Sequence, residues 1–387
     1  LLVVAGAGSG KTMMLAARVA RLVLDGADPR RILLMTFSRR AAAELERRAG
    51  RVLHQALGLR STTRPPDLPW CGTFHSVGAR LLREHASSLG LALDFTVVDR
   101  ADAEELLAQT RTRLGLHQAN TRFPLARTCQ AILSRTVNSA QPLGDVLATQ
   151  FPWCAEAQAD LQRLFAAYTQ AKQAQRVLDY DDLLLYWQLA VQESAIAQAI
   201  GRRFSHVLVD EMQDTNRLQA EILHAIKPDG QGVTVVGDDA QSIYAFRAAE
   251  VENMIGFPQR FTPAATVLAL QRNYRSTQPL LDAANAVIAQ ASRRFAKTLW
   301  TDRASSHKPQ LVLVDDEAEQ AAWVADAVLR QREEGTRLTQ QAVLFRTSQH
   351  SAALELELTR RRIPFVKYGG LRFLEAAHIK DAISLLR

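Results

Sequence analysis

The sequence contains no run of 18 or more apolar residues, the length a membrane-spanning helix needs, so no membrane partner is expected. No secretory signal precedes the first motif. Cysteine is scarce. Cys71, Cys129 and Cys154 are odd in number, far apart and in no CxxC pair. That usage argues against a disulfide framework or a zinc site and fits a reducing, cytoplasmic setting. No internal repeat or low-complexity segment stands out. An initiator methionine is also missing. The chain opens at Leu1 inside an apolar strand pattern and closes at Arg387 inside a helical one, so a fragment is expected.

What is present is ordinary for a soluble globular protein: 47% hydrophobic and 22% charged residues in a chain of 387, enough for two or three domains. The net charge is +7 and the pI about 9.6. Such a balance suits either a basic soluble enzyme or an electrostatic footprint for a polyanion such as nucleic acid, and charge alone does not choose.

Short apolar runs alternate with amphipathic stretches, the pattern of an α/β fold with a parallel sheet and crossover helices. Strands are expected at 1–5, 32–37, 206–210, 233–237 and 266–270. These are nearly continuous in apolar residues, as in strands covered on both faces. From Gly78 to about Ala174 strands are mostly missing and the pattern is helical, for example at 103–114 and 155–174. A helical block inside an α/β domain reads as an inserted subdomain. Residues 64–67, Arg-Pro-Pro-Asp, read as a loop. After Tyr274 a second α/β series is expected, with strands at 310–314, 342–346 and 364–367 and helices at 277–289, 317–333, 350–361 and 375–386.

The strongest motif is Ala5-Gly6-Ala7-Gly8-Ser9-Gly10-Lys11-Thr12, between a strand and a helix. Glycines let the backbone wrap phosphates and aim N–H groups at them. Lys11 reaches the terminal phosphates, and the Thr12 hydroxyl can ligate Mg²⁺. A flexible glycine-rich turn is the bland alternative. The second motif is an apolar strand, His206-Val207-Leu208-Val209, ending in Asp210-Glu211. Asp210 would hold Mg²⁺ and Glu211 would polarise the attacking water. Capping of the next helix is the alternative.

A third strand delivers Gly237-Asp238-Asp239-Ala240-Gln241. The Gln241 amide could sense a γ-phosphate, since it both donates and accepts. Tyr244, Phe246 and Arg247 follow; they suit base stacking with a phosphate contact, or a core position. Last comes Gln271-Arg272-Asn273-Tyr274-Arg275-Ser276-Thr277. Arg275 there could supply charge to a phosphoryl-transfer transition state, or could be a surface arginine.

Taken in order, these motifs resemble the UvrD/Rep/PcrA family of DNA helicases over the whole chain. Leu34-Met35-Thr36-Phe37-Ser38 with Arg39-Arg40-Ala41-Ala42-Ala43-Glu44-Leu45 resembles the family's TFTNKAAAEM segment. Gly72-Thr73-Phe74-His75-Ser76 resembles GTFHS, and Asp179-Tyr180-Asp181-Asp182-Leu183-Leu184 resembles DFDDLL. Asp210-Glu211-Met212-Gln213-Asp214-Thr215-Asn216 resembles DEFQDTN. Residues 237–244 resemble GDDDQSIY, Asn273 to Thr277 match NYRST, and residues 368–375 with Ile379-Lys380-Asp381 resemble YGGxRFxExxEIKD.

The resemblance implies two RecA-like P-loop NTPase domains with ATP and Mg²⁺ between them and single-stranded DNA across the top. On that basis 1–77 and 175–275 form the first domain, 78–174 the inserted helical subdomain, and 276–387 part of the second domain. It places Thr36, Phe37, Thr73, Phe74, His75, Tyr244, Phe246 and Arg247 along the DNA path. It stacks Tyr274 on adenine, sets Arg275 on the γ-phosphate, and moves Phe246 from core toward base stacking. The implied activity is an ATP-dependent DNA helicase or translocase, moving 3′ to 5′ on single strands and at single/double-strand junctions, in repair, replication or recombination. A helicase–nuclease motor subunit, or a DNA-binding ATPase switch that does not unwind, are the alternatives.

Departures from the family pattern matter. Met13 stands where an Arg is frequent, so purine stacking would rest more on Tyr274. Arg39-Arg40 replaces Asn-Lys and adds charge near the DNA path. Ala245-Phe246 stands for the usual Gly or Arg followed by Trp. Ser348 and Ala352 replace a usual Asn and a frequent Arg, which bears on DNA contacts of the second domain. The adenine-reading glutamine, the second accessory subdomain and a second γ-phosphate arginine are expected outside residues 1–387, so this segment by itself is expected to bind DNA weakly and to hydrolyse ATP slowly.

Overall fold

Period-two alternation along the apolar strands decides the architecture. In the computed structural model, which describes residues 1–58, 67–116 and 123–368, the strands are β1 (Leu2–Ala5), β2 (Ile32–Thr36), β3 (Cys71–Thr73), β4 (Thr96–Val97), β5 (Val177–Leu178), β6 (His206–Val209), β7 (Val233–Gly237) and β8 (Val267–Leu270). Among the described residues, six of them form one parallel sheet in the order β3-β2-β6-β7-β1-β8. Leu2 and Val4 of β1 and Leu33 and Met35 of β2 enter the core on one face. Val3, Ala5, Ile32 and Leu34 enter the core on the other. Successive Cβ atoms point to opposite sides of a strand, so an unbroken apolar run gives two cores.

The helices that cover these faces follow the strands in sequence. On one side lie α1 (Lys11–Leu24) and α2 (Arg39–Ala56), with Leu15, Val19, Leu45 and Leu53 buried against β1 and β2. α3 (Phe74–Glu84) starts on a capping box, the Thr73 side chain accepting from the Ser76 N–H and the Ser76 hydroxyl accepting from the Thr73 N–H. It crosses position 78 and buries Val77 and Leu81 in the sheet's own core.

The inserted block follows: α4 (Arg100–Arg113), α5 (Ala126–Ser139), α6 (Leu143–Gln150) and α7 (Gln158–Ala174). Leu107, Cys129, Ile132, Leu147, Leu161, Leu164 and Tyr168 give it a separate core. β4 and β5 pair as a separate two-stranded parallel sheet beside the block in sequence. The chain then returns through α8 (Tyr180–Gln192), α9 (Ser194–Arg203) and α10 (Arg217–Ile226) on the second face, with a short α11 (Glu252–Ile255) and then α12 (Gln278–Ile288).

The chain divides into two compact units, Leu1–Lys308 and Pro309–Arg387. In the second unit α13 (Glu317–Glu333) and α14 (Ala352–Arg360) pack around Ala325, Leu358 and Ile363.

Two sequence expectations need correction. The strand expected at 266–270 is present as β8, but it is the sheet edge and is not covered on both faces; Val267 and Leu268 are 41% and 51% exposed. The strands expected at 310–314, 342–346 and 364–367 pair with nothing among the described residues, and Leu311, Leu313 and Leu344 are exposed. An apolar run supplies a tendency to extend, but a strand also needs a neighbour to receive its hydrogen bonds. The loop expected at 64–67 lies largely, and the helix expected at 375–386 wholly, outside the described residues; so does the last family-like motif beyond Tyr368. Among the described residues no helix is long and apolar enough to cross a membrane.

Candidate active site

The turn from β1 to α1 is built on two left-handed glycines. Gly8 has φ +73 and Gly10, the N-cap of α1, has φ +91. No side chain caps α1 and no acid sits in its first turn. Its leading N–H groups are therefore left for an anion, and the helix dipole adds positive potential. The Ser9 hydroxyl donates to the Gly6 carbonyl at 2.7 Å, fixing the turn from within.

Asn273 grips that turn from 266 positions away. Its Nδ2 donates to the Ala7 carbonyl at 2.5 Å, and its Oδ1 accepts from the N–H groups of Arg275 at 2.7 Å and Ser276 at 2.6 Å. The Tyr274 N–H donates to the Gly8 carbonyl at 2.9 Å. Tyr274 and Arg275 are thereby held at the rim of the Ala5–Thr12 loop with exposed side chains. A Cβ on Gly8 would stand 2.7 Å from Asn273 Nδ2 and 2.8 Å from Arg275 Cβ, so the turn has no room for one.

β6 delivers the acids. Asp210 is buried, its N–H donating to the Met35 carbonyl of β2. Glu211 takes the left-handed conformation, φ 52 and ψ 50, which is costly for a residue with a side chain and is held here by the loop around it. Glu211 Oε2 lies 3.1 Å from Lys11 Nζ. Burial, then the Glu211 charge, pushes the Asp210 carboxyl up to about 7. Burial and Glu211 likewise push Asp214 up to about 6.

A carboxylate this reluctant to ionise gains most from a cation. The Asp210 carboxylate and the Thr12 hydroxyl are hard oxygen donors, the type that suits Mg²⁺, which keeps most of its shell for water and phosphate. Among the described residues no group of three or more His, Cys, Asp or Glu side chains is arranged to hold a metal.

Gln213 was not picked out by sequence reasoning, yet it joins two motifs. Its Nε2 donates to Glu211 Oε2 at 2.9 Å, and its Oε1 accepts from the Asp238 N–H at 2.9 Å. A Cβ on Gly237 would come within 2.6 Å of that Oε1. Asp238 in turn accepts from Gln241 Nε2 at 2.5 Å. The position of Gln213 in Asp-Glu-Met-Gln-Asp was visible in sequence; its reach to β7 was not.

Next to this site lies an aromatic face. Phe37 and Tyr244 have ring centroids 4.6 Å apart, and Tyr244 and Phe246 5.8 Å. The Arg247 guanidinium lies within 6 Å of all three rings. Phe246 is 69% exposed, so it is no core residue. Arg135 of α5 donates to the Ala245 carbonyl at 2.7 Å, tying the inserted block to this turn.

Thr36 is buried at the end of β2, and Phe74 packs into the core against Trp187, so both form floor more than face. Thr73 is spent on the cap of α3. His75 meets the Tyr180 ring edge-on, and burial, aided by Arg39, lowers its imidazole to about 4. Phe37, Arg39, Thr73, His75 and Tyr180 line one pocket. A larger cleft is lined by Thr36, Phe37, Phe74, His75, Phe246 and Arg247 and also by Asp210 and Glu211. Phe37, Phe74 and Phe246 therefore share one cleft with the paired acids.

Residues 1–262 match the UvrD/REP helicase N-terminal domain, and residues 268–387 match the UvrD-like helicase C-terminal domain. Over its full length the chain is similar to DNA helicase II of Escherichia coli K12, 35% identical, covering 52% of that protein. It is also similar to the ATP-dependent DNA helicase UvrD1 of Mycobacterium tuberculosis H37Rv, at 37% identity and 50% coverage, and to the ATP-dependent DNA helicase PcrA of Staphylococcus epidermidis, at 30% and 51%. The chain spans about half the length of these curated relatives.

Proposed function

The chain belongs to the UvrD/REP helicase family, and on that premise we propose that it is the ATP-hydrolysing part of a motor that moves 3′ to 5′ along single-stranded DNA and opens duplex at single/double-strand junctions. The observation that carries the proposal is the shared cleft: the carboxylates that would hydrolyse ATP and the rings that would stack bases line the same cleft.

ATP is the substrate. Its phosphates would be cradled by the N–H groups of the Ala5–Thr12 loop and neutralised by Lys11, with the adenine resting against exposed Tyr274. Thr12 and Asp210 would hold Mg²⁺, which supplies positive charge at the β- and γ-phosphates. Glu211 takes a proton from the attacking water as its oxygen bonds to the γ-phosphorus and the bond to the β-bridging oxygen breaks. Arg275, on the rim of the same loop, would stabilise the charge that develops. Gln213 couples Glu211 to the turn bearing Gln241 and the aromatic face, so a change at the phosphates has a short route to DNA.

The test is ATPase of the intact protein with and without single-stranded DNA, with strand displacement on 3′- and 5′-tailed duplexes. DNA-stimulated turnover and displacement from the 3′ tail are expected. Turnover indifferent to DNA would refute the motor reading, and displacement from the 5′ tail alone would refute the polarity.

A further inference from the structure

The segment after α12 carries a buried cation that no motif includes. Lys297 is 7% exposed, and its Nζ lies 2.6 Å from Asp238 Oδ1 and in contact with Asp239 Oδ1. The Phe295 N–H donates to the other Asp239 oxygen at 3.0 Å. Two residues after Lys297 the segment is knit to the rest of the unit. Asn285 of α12 exchanges two hydrogen bonds with the backbone of Leu299, at 2.9 and 3.0 Å. The Trp300 N–H donates to the Gln271 carbonyl, and the Trp300 carbonyl accepts from the Asn273 N–H. Leu299 covers Gly6 so closely that a Cβ there would collide with it. Residues 295–300 thus run as a strap from the Asp238–Gln241 turn to the floor of the Ala5–Thr12 loop.

Asp238 is the joint this strap acts on. One of its oxygens accepts from Lys297 and from the Ala240 N–H; the other accepts from Gln241 Nε2. Its own N–H donates to Gln213, which donates to Glu211, which pairs with Lys11. Asp238 and Asp239 are adjacent carboxylates out of contact with water, and each would be strongly unfavourable as an anion without a partner. Lys297 between them supplies that partner and fixes the Asp238 carboxylate in one rotamer.

We propose that Lys297 is a positioning residue for the hydrolytic site: by fixing the Asp238 carboxylate it sets the orientation of the Gln241 amide and, through Gln213, of Glu211. The proposal rests on the ATPase reading above. Lys297 acts through Asp238 and is not itself a catalytic residue.

The experiment uses the intact protein with three substitutions: Lys297→Met, Lys297→Arg, and Lys297→Met combined with Asp239→Asn. The single Met variant leaves two buried anions and unfolds more easily. The double variant leaves one buried anion, Asp238, in place of two and should recover part of the lost melting temperature, so a loss of turnover out of proportion to stability reads positioning. In the double variant kcat for ATP should fall on the order of 10–100-fold, the scale of a misplaced catalytic group, with KM for ATP little changed. The amides of Ala240 and Gln241 should exchange hydrogen faster than in wild type. Lys297→Arg should recover part of kcat.

Wild-type turnover and wild-type amide exchange in the double variant would overturn the proposal. So would a loss of kcat that merely follows the melting temperature, or an equal loss of ATP affinity. If the wild-type protein shows no ATPase, the ATPase reading fails, and the exchange measurement alone decides whether Lys297 fixes this turn.

Discussion

Lys11 Nζ lies 3.1 Å from Glu211 Oε2, so the cation that would meet the γ-phosphate is paired with the carboxylate that would activate water. A nucleotide phosphate that took Lys11 would free Glu211 beside the reacting centre and so would link activation of the base to occupancy by nucleotide.

Both partners should be needed for turnover, for different reasons. Lys11→Ala should abolish turnover by removing the phosphate charge partner. Glu211→Gln should keep ATP affinity and lose turnover by roughly 10²–10⁴-fold, the usual scale for removing a general base. Nucleotide binding by equilibrium dialysis beside steady-state ATPase checks both. An equal loss of binding and turnover in Glu211→Gln would make Glu211 structural.

The two left-handed glycines should respond differently to a methyl group. Gly10 has open space and only its φ to defend, so Gly10→Ala should cost about 1–2 kcal/mol of stability. Gly8 has the same backbone demand plus the crowding of Asn273 and Arg275, so Gly8→Ala should cost more and also lower ATP affinity. Urea unfolding and nucleotide titration of both variants read this. Equal effects at the two positions would mean that the Asn273 clamp yields freely.

In the joint between the inserted block and the sheet domain, Lys172 Nζ lies 2.7 Å from Asp179 Oδ2 and 2.6 Å from Asp182 Oδ2, with the Tyr168 hydroxyl donating to Asp179 at 3.0 Å. All three charged groups are buried. Lys172→Met leaves two anions uncompensated and should destabilise the protein by about 3–5 kcal/mol, the usual cost of breaking a buried pair. Denaturant unfolding measures it. A change under about 1 kcal/mol would show that solvent reaches the site readily.

Phe246 stands clear of the core, so its truncation should act on binding and not on stability. Phe246→Ala should weaken single-stranded DNA binding by roughly 1–3 kcal/mol, the scale of one base–aromatic stack, with an unchanged melting temperature. Affinity of the wild type should also fall steeply with salt, because arginines such as Arg39 and Arg247 displace counterions from phosphates. Fluorescence anisotropy over a salt series reads both. A lowered melting temperature with intact affinity would contradict the stacking role.

His75 should stay neutral wherever the protein is folded near neutral pH. Burial, aided by Arg39, lowers its imidazole from 6.5 to about 4. Because the folded value is the lower one, the unfolded chain binds more protons between those two pH values, and this contribution to stability is lost as pH falls from 6.5 toward 4. His75→Gln should flatten that part of the stability–pH curve. A histidine proton titration centred near 6.5 in the folded protein would show that His75 is solvated.

Much of this molecule is legible in one dimension because its chemistry is local. A phosphate cradle needs glycines, a lysine and a hydroxyl within a few residues of a strand end, and Gly6 to Thr12 supply them. The paired acids need an apolar strand to carry them to the C-terminal end of the sheet, and His206–Val209 is that strand. Caps are local too, as in Thr73 with Ser76 or Asp179 with Asp182. The parallel sheet and the helical insertion follow from apolar runs and their spacing.

Residue types therefore determined the motifs, the two-sided sheet and the candidate roles of Lys11, Thr12, Asp210, Glu211 and Gln241. Tertiary structure alone decided which side chains those groups lean on. Lys297 meets Asp239 across 58 positions and Asn273 meets Ala7 across 266, with no pattern in the intervening sequence to announce either contact. It also decided that β8 is an edge, that Phe74 turns into the core while Phe246 turns out, and that three apolar runs of the second unit find no partner among the described residues. The reason is physical. A propensity or a motif is a property of neighbouring residues, whereas burial, strand pairing and charge compensation are properties of whatever folding brings alongside.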